Sequence, residues 1–187
     1  TGDSLMEVGD EVYFASEVEH VSRALTAFGH EEQEARRILI VGGGNVGLSL
    51  ALEVEQSYPK VSLKIIESSR ERAGAIAEQL DRTTVLSGDV LNQEMLFEAN
   101  VQLTETVVAV TNDDEVNILA SLLAKREGCE RAVTLVNNVA FEPLLGSLGI
   151  DVIVNPRAIT VSRILQYVRR GRIRSVHSLR DGLAEII

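Results

Sequence analysis

The residues whose types and spacing could do chemistry begin at Gly42-Gly43-Gly44-Asn45-Val46-Gly47, a G-x-G-x-x-G string. Alone such a string says little, because glycine-rich turns are common. Here it follows a short apolar run, 38–41, and opens a helical pattern, the context a phosphate-cradling loop requires. In that arrangement Gly42 permits the tight turn and Gly44 lets the backbone approach a pyrophosphate with no Cβ in the way. Gly47 allows the helix to pack closely on the sheet. The phosphate would rest on free N–H groups at the positive end of the helix. No lysine follows the loop, so the string does not read as a Walker A site.

The partner of that loop is Glu67, at the end of the next apolar run and about 20 residues past the last glycine, where dinucleotide folds place a ribose carboxylate. A carboxylate accepts from the ribose 2′-OH and repels a 2′-phosphate, which favours NAD over NADP. ATP or ADP would satisfy the same contacts. Arg70, nearby, reads as a surface helix residue. Two further strand ends, Ser87-Gly88-Asp89 and Thr111-Asn112-Asp113-Asp114, would face the same crevice, since ligands of such sheets bind beyond the carboxyl ends of the strands. Asp113 and Asp114 read as helix caps. For Asp89, Thr111 and Asn112, capping and ligand contact both stay open.

The elements that must position these residues alternate regularly. Strands are expected at 38–41, 61–67, 84–87, 106–111, 132–136 and 152–154. Helices are expected between them, through Leu48, Leu50, Leu52 and Val54, then at 70–80, 93–99, 115–126 and 141–148. Parallel neighbours need crossover connections, so the pattern predicts an α/β fold, a Rossmann-type doubly wound parallel sheet of about six strands. Beyond the sheet, Val161, Ile164, Leu165 and Val168 make an apolar stripe on a helix, to be covered either by the chain's own sheet or by a second subunit. Ahead of it, the strand-like run 11–14 and a helix bearing Val18, Val21, Leu25 and Phe28, stopped by Gly29, cannot close a core. The acidic run 31–34 reads as linker. Segments 175–179 and 183–187, around Arg180-Asp181-Gly182, look like a strand pair. Thr1 is not an initiator methionine, and the chain is expected to be an excerpt.

The totals narrow the function. The 187 residues are 45% apolar and 25% charged, enough for one full domain with a sizeable core. No apolar run approaches the roughly 20 residues of a membrane span, so any link to a membrane would run through a partner. Cys129 is the only cysteine, which excludes an intrachain disulfide and a cysteine metal cluster, and fits a reducing cytoplasm. A net charge of −10 argues against nucleic acid. Asp3, Glu7, Asp10, Glu11, Glu17, Glu19, Glu31, Glu32 and Glu34 crowd the start. Arg157, Arg163, Arg169, Arg170, Arg172, Arg174 and Arg180 crowd the end. These are solvated faces, or else complementary contacts between subunits or successive domains. Chemistry is poorly provided for. His20, His30 and His177 all lie outside the sheet segment, and no metal-ligand spacing, nucleophile elbow or cysteine–histidine pair appears. No catalytic and no metal residue is assigned, and a binding module is favoured over an enzyme.

Taken together, Gly42 to Gly47, Glu67, Gly88-Asp89, the string Val110-Thr111-Asn112-Asp113-Asp114-Glu115-Val116-Asn117 and the run from Asn155-Pro156-Arg157 to Ile164 resemble the tandem nucleotide-binding domains of TrkA-type potassium uptake regulators, the RCK or KTN domains. Gly9-Asp10-Glu11-Val12-Tyr13-Phe14 resembles the end of that family's small regulatory (RCK-C-like) α+β subdomain. The resemblance implies the second Rossmann unit of a two-repeat protein. Residues 1–30 would be the tail of a preceding regulatory subdomain, 31–35 a linker, 36–155 the nucleotide-binding domain, 156–172 a crossover or dimerisation helix, and 173–187 the truncated start of a second regulatory subdomain.

It also implies binding of NAD, NADH or adenine nucleotides, ATP or ADP, and homo-oligomers, dimers or tetramers, joined through the sheet domains. These would dock on the membrane subunit of a potassium transporter at the cytoplasmic face. Carried over by motif, Gly42 to Val46 would hold the pyrophosphate, Glu67 the adenosine ribose and Asp89 the adenine end, with Thr111 and Asn112 near the rest of the ligand. Where some members carry a basic contact residue on the fifth strand, this chain has Thr134, which leaves NAD against ATP open. The alternative is an NAD-dependent oxidoreductase whose substrate domain lies outside the excerpt. A third reading is an assembly domain with a vestigial pocket.

Overall fold

The computed structural model describes residues 20–29, 35–168, 177–179 and 184–186. The chain falls into two compact units, Thr1–Glu34 and Ala35–Ile187. In the first, α1 (Val21–Ala27) ends where expected, with Gly29 in the left-handed region at φ +77° and its N–H donated to the Thr26 carbonyl. The expected strand 11–14, Val18 and the linker 31–34 lie outside the described residues.

In the second unit the expected alternation is realised: β1 (Arg37–Val41), α2 (Asn45–Ser57), β2 (Ser62–Glu67), α3 (Arg70–Ala77), β3 (Thr84–Ser87), α4 (Gln93–Glu98), β4 (Thr106–Ala109), α5 (Asp114–Arg126), β5 (Arg131–Leu135), α6 (Glu142–Leu145), β6 (Val152–Val154) and α7 (Pro156–Val168). The six strands pair in parallel in the order β3-β2-β1-β4-β5-β6. The order reverses between β1 and β4, which opens a crevice beyond their carboxyl ends. A strand buried on both faces reads as a continuous apolar run because its pleat sends alternate side chains into two different cores. Leu39 and Val41 point one way, with Val107 and Ala109, onto Ala120 and Ala124 of α5 and Leu96 of α4. Ile40 points the other way, with Leu63 and Ile65, onto Ala51 and Val54 of α2 and Ile76 of α3. Truncating a residue such as Leu39 to Ala would cost about 2–5 kcal/mol.

Two expected elements are shortened, and an open question about a third is narrowed. β4 stops at Ala109 instead of 111, because the Thr111 N–H is taken by the Asn117 side chain and turns the chain into the crevice. The helix expected at 141–148 is four residues long, behind a 3-10 turn at Val139–Phe141. Gly149 at φ +87° ends the segment, and one turn suffices to seat Leu145 against Val136 and Ile150. The stripe on α7 is not covered by the chain's own sheet: Ile159, Val161, Ile164, Leu165 and Val168 are all exposed. Residues 169–172 lie outside the description. Separately, β7 (His177–Leu179) and β8 (Ala184–Ile186) form the expected antiparallel pair.

Candidate functional site

A crevice of about 900 Å³ runs along the carboxyl ends of β1 to β5. The glycines build its centre, each for a different reason. Gly42 sits at φ +101°, where a Cβ would come within 3.1 Å of the Thr111 backbone, so no other residue fits. Gly43 turns away from the crevice, and its N–H donates to Glu67 Oε2 at 2.8 Å. A Cβ at Gly44 would meet nothing within 4 Å, so the backbone there is bare toward the opening. A Cβ at Gly47 would lie 1.9 Å from the Gly42 carbonyl oxygen, so the first turn of α2 rests directly on its own loop. Of the six residues of the loop, all candidates for the nucleotide site, Gly42, Gly44, Asn45 and Val46 line the crevice. Gly43 and Gly47 do not. Their part is to hold the loop's shape, the first through Glu67 and the second by admitting close backbone contact.

The helices around the crevice end differently. Side chains cap four of them: Ser69 accepts from Arg72 N on α3, Asn92 from Glu94 N on α4, Asp113 from Val116 N on α5, and Asn155 from Arg157 N and Ala158 N on α7. At α2 the cap position is Gly44, with no side chain to accept. The orphan N–H groups at the start of a 13-residue helix therefore meet the opening with their partial positive charge uncompensated.

Glu67, only 8% exposed, belongs to the crevice wall but is already occupied. Besides Gly43 N–H on Oε2, its Oε1 accepts Ser69 N–H at 2.8 Å and the Ser68 hydroxyl at 3.3 Å. A carboxylate has about four acceptor sites, so room for one sugar hydroxyl remains. Asp89 also lines the crevice. Its Oδ1 accepts Leu91 N–H at 2.9 Å in a local turn, while α4 takes its cap from Asn92.

On the other side of the loop, Thr111 is committed: its N–H and hydroxyl both reach Asn117 Oδ1, at 2.8 and 2.7 Å. Asn112 is exposed on the crevice wall, and among the described residues no hydrogen bond holds its amide. Asp113 is the cap it was read to be. Asp114 is not. Its carboxylate reaches across to the loop after β5, accepting Asn137 N–H, Asn137 Nδ2 and Asn138 N–H at 2.8–3.0 Å. Partial burial would raise its pKa, but these donors and the charge of Arg157 hold it below the ordinary aspartate range.

Reading the residues missed Asn117, fully buried on α5, which also donates through Nδ2 to the carbonyls of Thr111 and Leu135 at 3.1 and 3.0 Å. It ties the ends of β4 and β5 together beneath the crevice floor. Its signal was an amide one turn into an otherwise apolar helix face, since a buried amide must be bonded. Arg72, not singled out by reading the residues, lines the wall, whereas Arg70 is a surface residue, as read. Thr134 is fully buried, with its hydroxyl 2.7 Å from Ser121 Oγ under α5, so the residue at that position does not reach the crevice. No histidine, lysine, tyrosine or cysteine among the described residues lines the crevice. Among the described residues no group of three or more His, Cys, Asp or Glu side chains could hold a metal.

This geometry can be set beside known proteins. The chain is 52% identical over 182 residues to the Trk system potassium uptake protein TrkA of Azorhizobium caulinodans, covering 97% of this chain and 40% of that protein. The chain thus spans well under half the length of this relative. The crystal structure of the TrkA-N domain of the inner membrane protein ybaL from Escherichia coli superposes with a TM-score of 0.65 at 16% identity, over 74% of this chain and 100% of that one. The GsuK channel bound to NAD gives a TM-score of 0.63 at 16% identity, over 81% of this chain and 27% of that one. Both likenesses are of fold. The family model of the TrkA-N domain matches residues 38–156, from β1 through the six-stranded sheet to the first residue of α7, and the chain belongs to that family.

Proposed function

We propose that the chain is the nucleotide-binding part of a regulatory protein for potassium uptake, taking NAD, NADH or an adenine nucleotide in the crevice at the switch point. The observation that carries this is the uncapped start of α2, bare at Gly44 and flanked by Glu67, opening into a crevice of about 900 Å³. An anion there gains both the orphan N–H groups and the helix dipole. In the bound state Gly44, Asn45 and Val46 hold the pyrophosphate, Glu67 takes a ribose hydroxyl at its remaining acceptor site, Asp89 faces the adenine end, and Asn112 serves the far end. Thr111 supports that end through Asn117 without spending a donor on the ligand. The GsuK channel of the superposition is bound to NAD, which supports the ligand class.

The ligand acts by regulation, not turnover, in keeping with a crevice wall that, among the described residues, offers no histidine, lysine, tyrosine or cysteine to move a proton. Residues 1–30 and 173–187 belong to flanking regulatory subdomains, with 31–35 as linker. The exposed apolar stripe on α7, within 156–172, joins two copies in a homo-oligomer, because a stripe of this size is rarely left to water. The assembly acts at the cytoplasmic face on a transporter's membrane subunit, the system to which the TrkA relative's name refers. A ligand that binds one arrangement of the assembly a hundredfold more tightly shifts it by about 2.7 kcal/mol, enough to tip a nearly balanced gate.

Titration calorimetry with NAD, NADH, ADP and ATP tests the reading. At least one should bind and raise the melting temperature, with about 2.7 kcal/mol of added stability at a hundredfold excess over Kd. Silence from all four would overturn it.

A further inference from the structure

Among the described residues Arg72 is the only cation on the crevice wall, which otherwise carries the carboxylates of Glu67, Asp89 and Asp113. It stands in the first turn of α3, its own backbone N–H held by Ser69 Oγ. Its guanidinium is unspent: among the described residues no hydrogen bond or ion pair holds it, whereas Arg37 pairs with Glu105 and Arg82 clasps the carbonyls of Glu55 and Pro59. The two carboxylates of its own half of the crevice do not satisfy it. The oxygens of Glu67 accept from Gly43, Ser68 and Ser69, and Asp89 Oδ1 accepts from Leu91.

We propose that Arg72 is a specificity-determining residue that lays its guanidinium plane on the purine of the bound nucleotide. This deepens the nucleotide-binding reading and rests on it. A phosphate placed in this half would face Glu67 and Asp89 with one cation to offset two anions. A neutral base meets no such repulsion. A guanidinium is planar and weakly hydrated, so its face packs on a π-system while its edge stays in water. The phosphates belong at the start of α2, where the amide groups supply the positive end, and Arg72 is left to sort the group beyond the ribose by having a flat aromatic face.

The test compares wild-type chain, R72A and R72K by calorimetry with NAD, ADP-ribose, AMP, NADP and nicotinamide mononucleotide, which lacks the adenosine half. Both variants alter an exposed side chain, and an unchanged unliganded melting temperature confirms folding. R72A should weaken NAD, ADP-ribose and AMP by a common factor of about ten, with mononucleotide binding unchanged. R72K, keeping charge without the plane, should recover less than half of that loss on a logarithmic scale. Three results overturn the assignment. R72A could weaken the mononucleotide as much as AMP, which makes Arg72 a diffuse charge. R72K could bind like wild type. NADP could bind more tightly than NAD with R72A erasing the difference, which makes it a 2′-phosphate ligand. Wild-type binding that R72A leaves intact sinks this inference alone, and absence of binding by wild type sinks the nucleotide reading with it.

Discussion

The Glu67 carboxylate accepts the N–H of Gly43 at 2.8 Å, joining the end of β2 to the middle of the glycine loop after β1. The acid expected to hold a sugar is thus also a latch on the loop expected to hold the phosphates. The proposed ligand recognition and the loop conformation share one side chain.

Removing that latch should show before any ligand is added. Glu67→Ala leaves the amides of Gly43 and Ser69 without their acceptor, a loss of about 1–3 kcal/mol in unliganded stability, with nucleotide binding weakened as well. Glu67→Gln keeps one acceptor oxygen and should fall between. Denaturant titrations read both variants, and an unliganded Glu67→Ala as stable as wild type would show that the carboxylate serves the ligand alone.

Two glycines in one loop should differ in stability, though not in loss of binding, on the same added methyl. At Gly44 the Cβ enters open space and the backbone, at φ −70°, suits any residue, so Gly44→Ala should fold normally and bind nucleotide at least tenfold more weakly. At Gly47 the Cβ would lie 1.9 Å from the Gly42 carbonyl oxygen. Gly47→Ala should cost about 1–3 kcal/mol or more and lose binding through the displaced loop. Equal melting temperatures for the two variants would contradict this division.

Asn117 should prove a stability residue with a local effect on binding. Asn117→Leu strips the acceptor from the Thr111 amide and the donor from the Leu135 carbonyl in a fully buried site, at about 1–3 kcal/mol for each group left unsatisfied. Amide exchange should accelerate at Thr111 and at the end of β5 ahead of the rest of the sheet. Uniform acceleration across the sheet would mean that the side chain does not serve this junction in particular.

Acid should weaken the fold through carboxylates that serve as acceptors. Burial opposes the shift at Glu55, but the Thr83 hydroxyl and the backbone N–H groups of Arg82, Asp81 and Thr83 bring its pKa from 4.5 down to about 2. Asp114 is lowered in the same sense by Asn137 and Asn138. A group depressed in the folded state contributes stability that is present above its unfolded pKa and lost as pH falls through the folded one. Urea midpoints should therefore decline on acidification from about 4.5 toward about 2, and Glu55→Gln should flatten the decline. A midpoint that rises over that window would refute the assignment.

The centre of the sheet was legible because strands covered on both faces read as apolar runs, and those at 38–41 and 107–109 show it. The glycine loop was legible as a shape. Its division of labour was not, because Gly43 and Gly44 are identical as letters and differ only in what stands beside them. Asp114 reads as a cap from its place at a helix start, yet it spends its oxygens on residues 23 and 24 positions later. Arg70 and Arg72 are both basic residues at one helix start, and the turn of α3 alone decides which one lines the crevice. Local chemistry is written in order along the chain, whereas contacts between distant loops depend on packing that the order does not display.

The most direct measurement is an amide NMR titration of the chain with NAD or ADP. Anion binding at the start of α2 predicts that the N–H resonances of Gly44, Asn45 and Val46 move first and furthest, saturating with the calorimetric affinity. Saturable binding that leaves those three amides unmoved while shifting others would contradict the account at its centre.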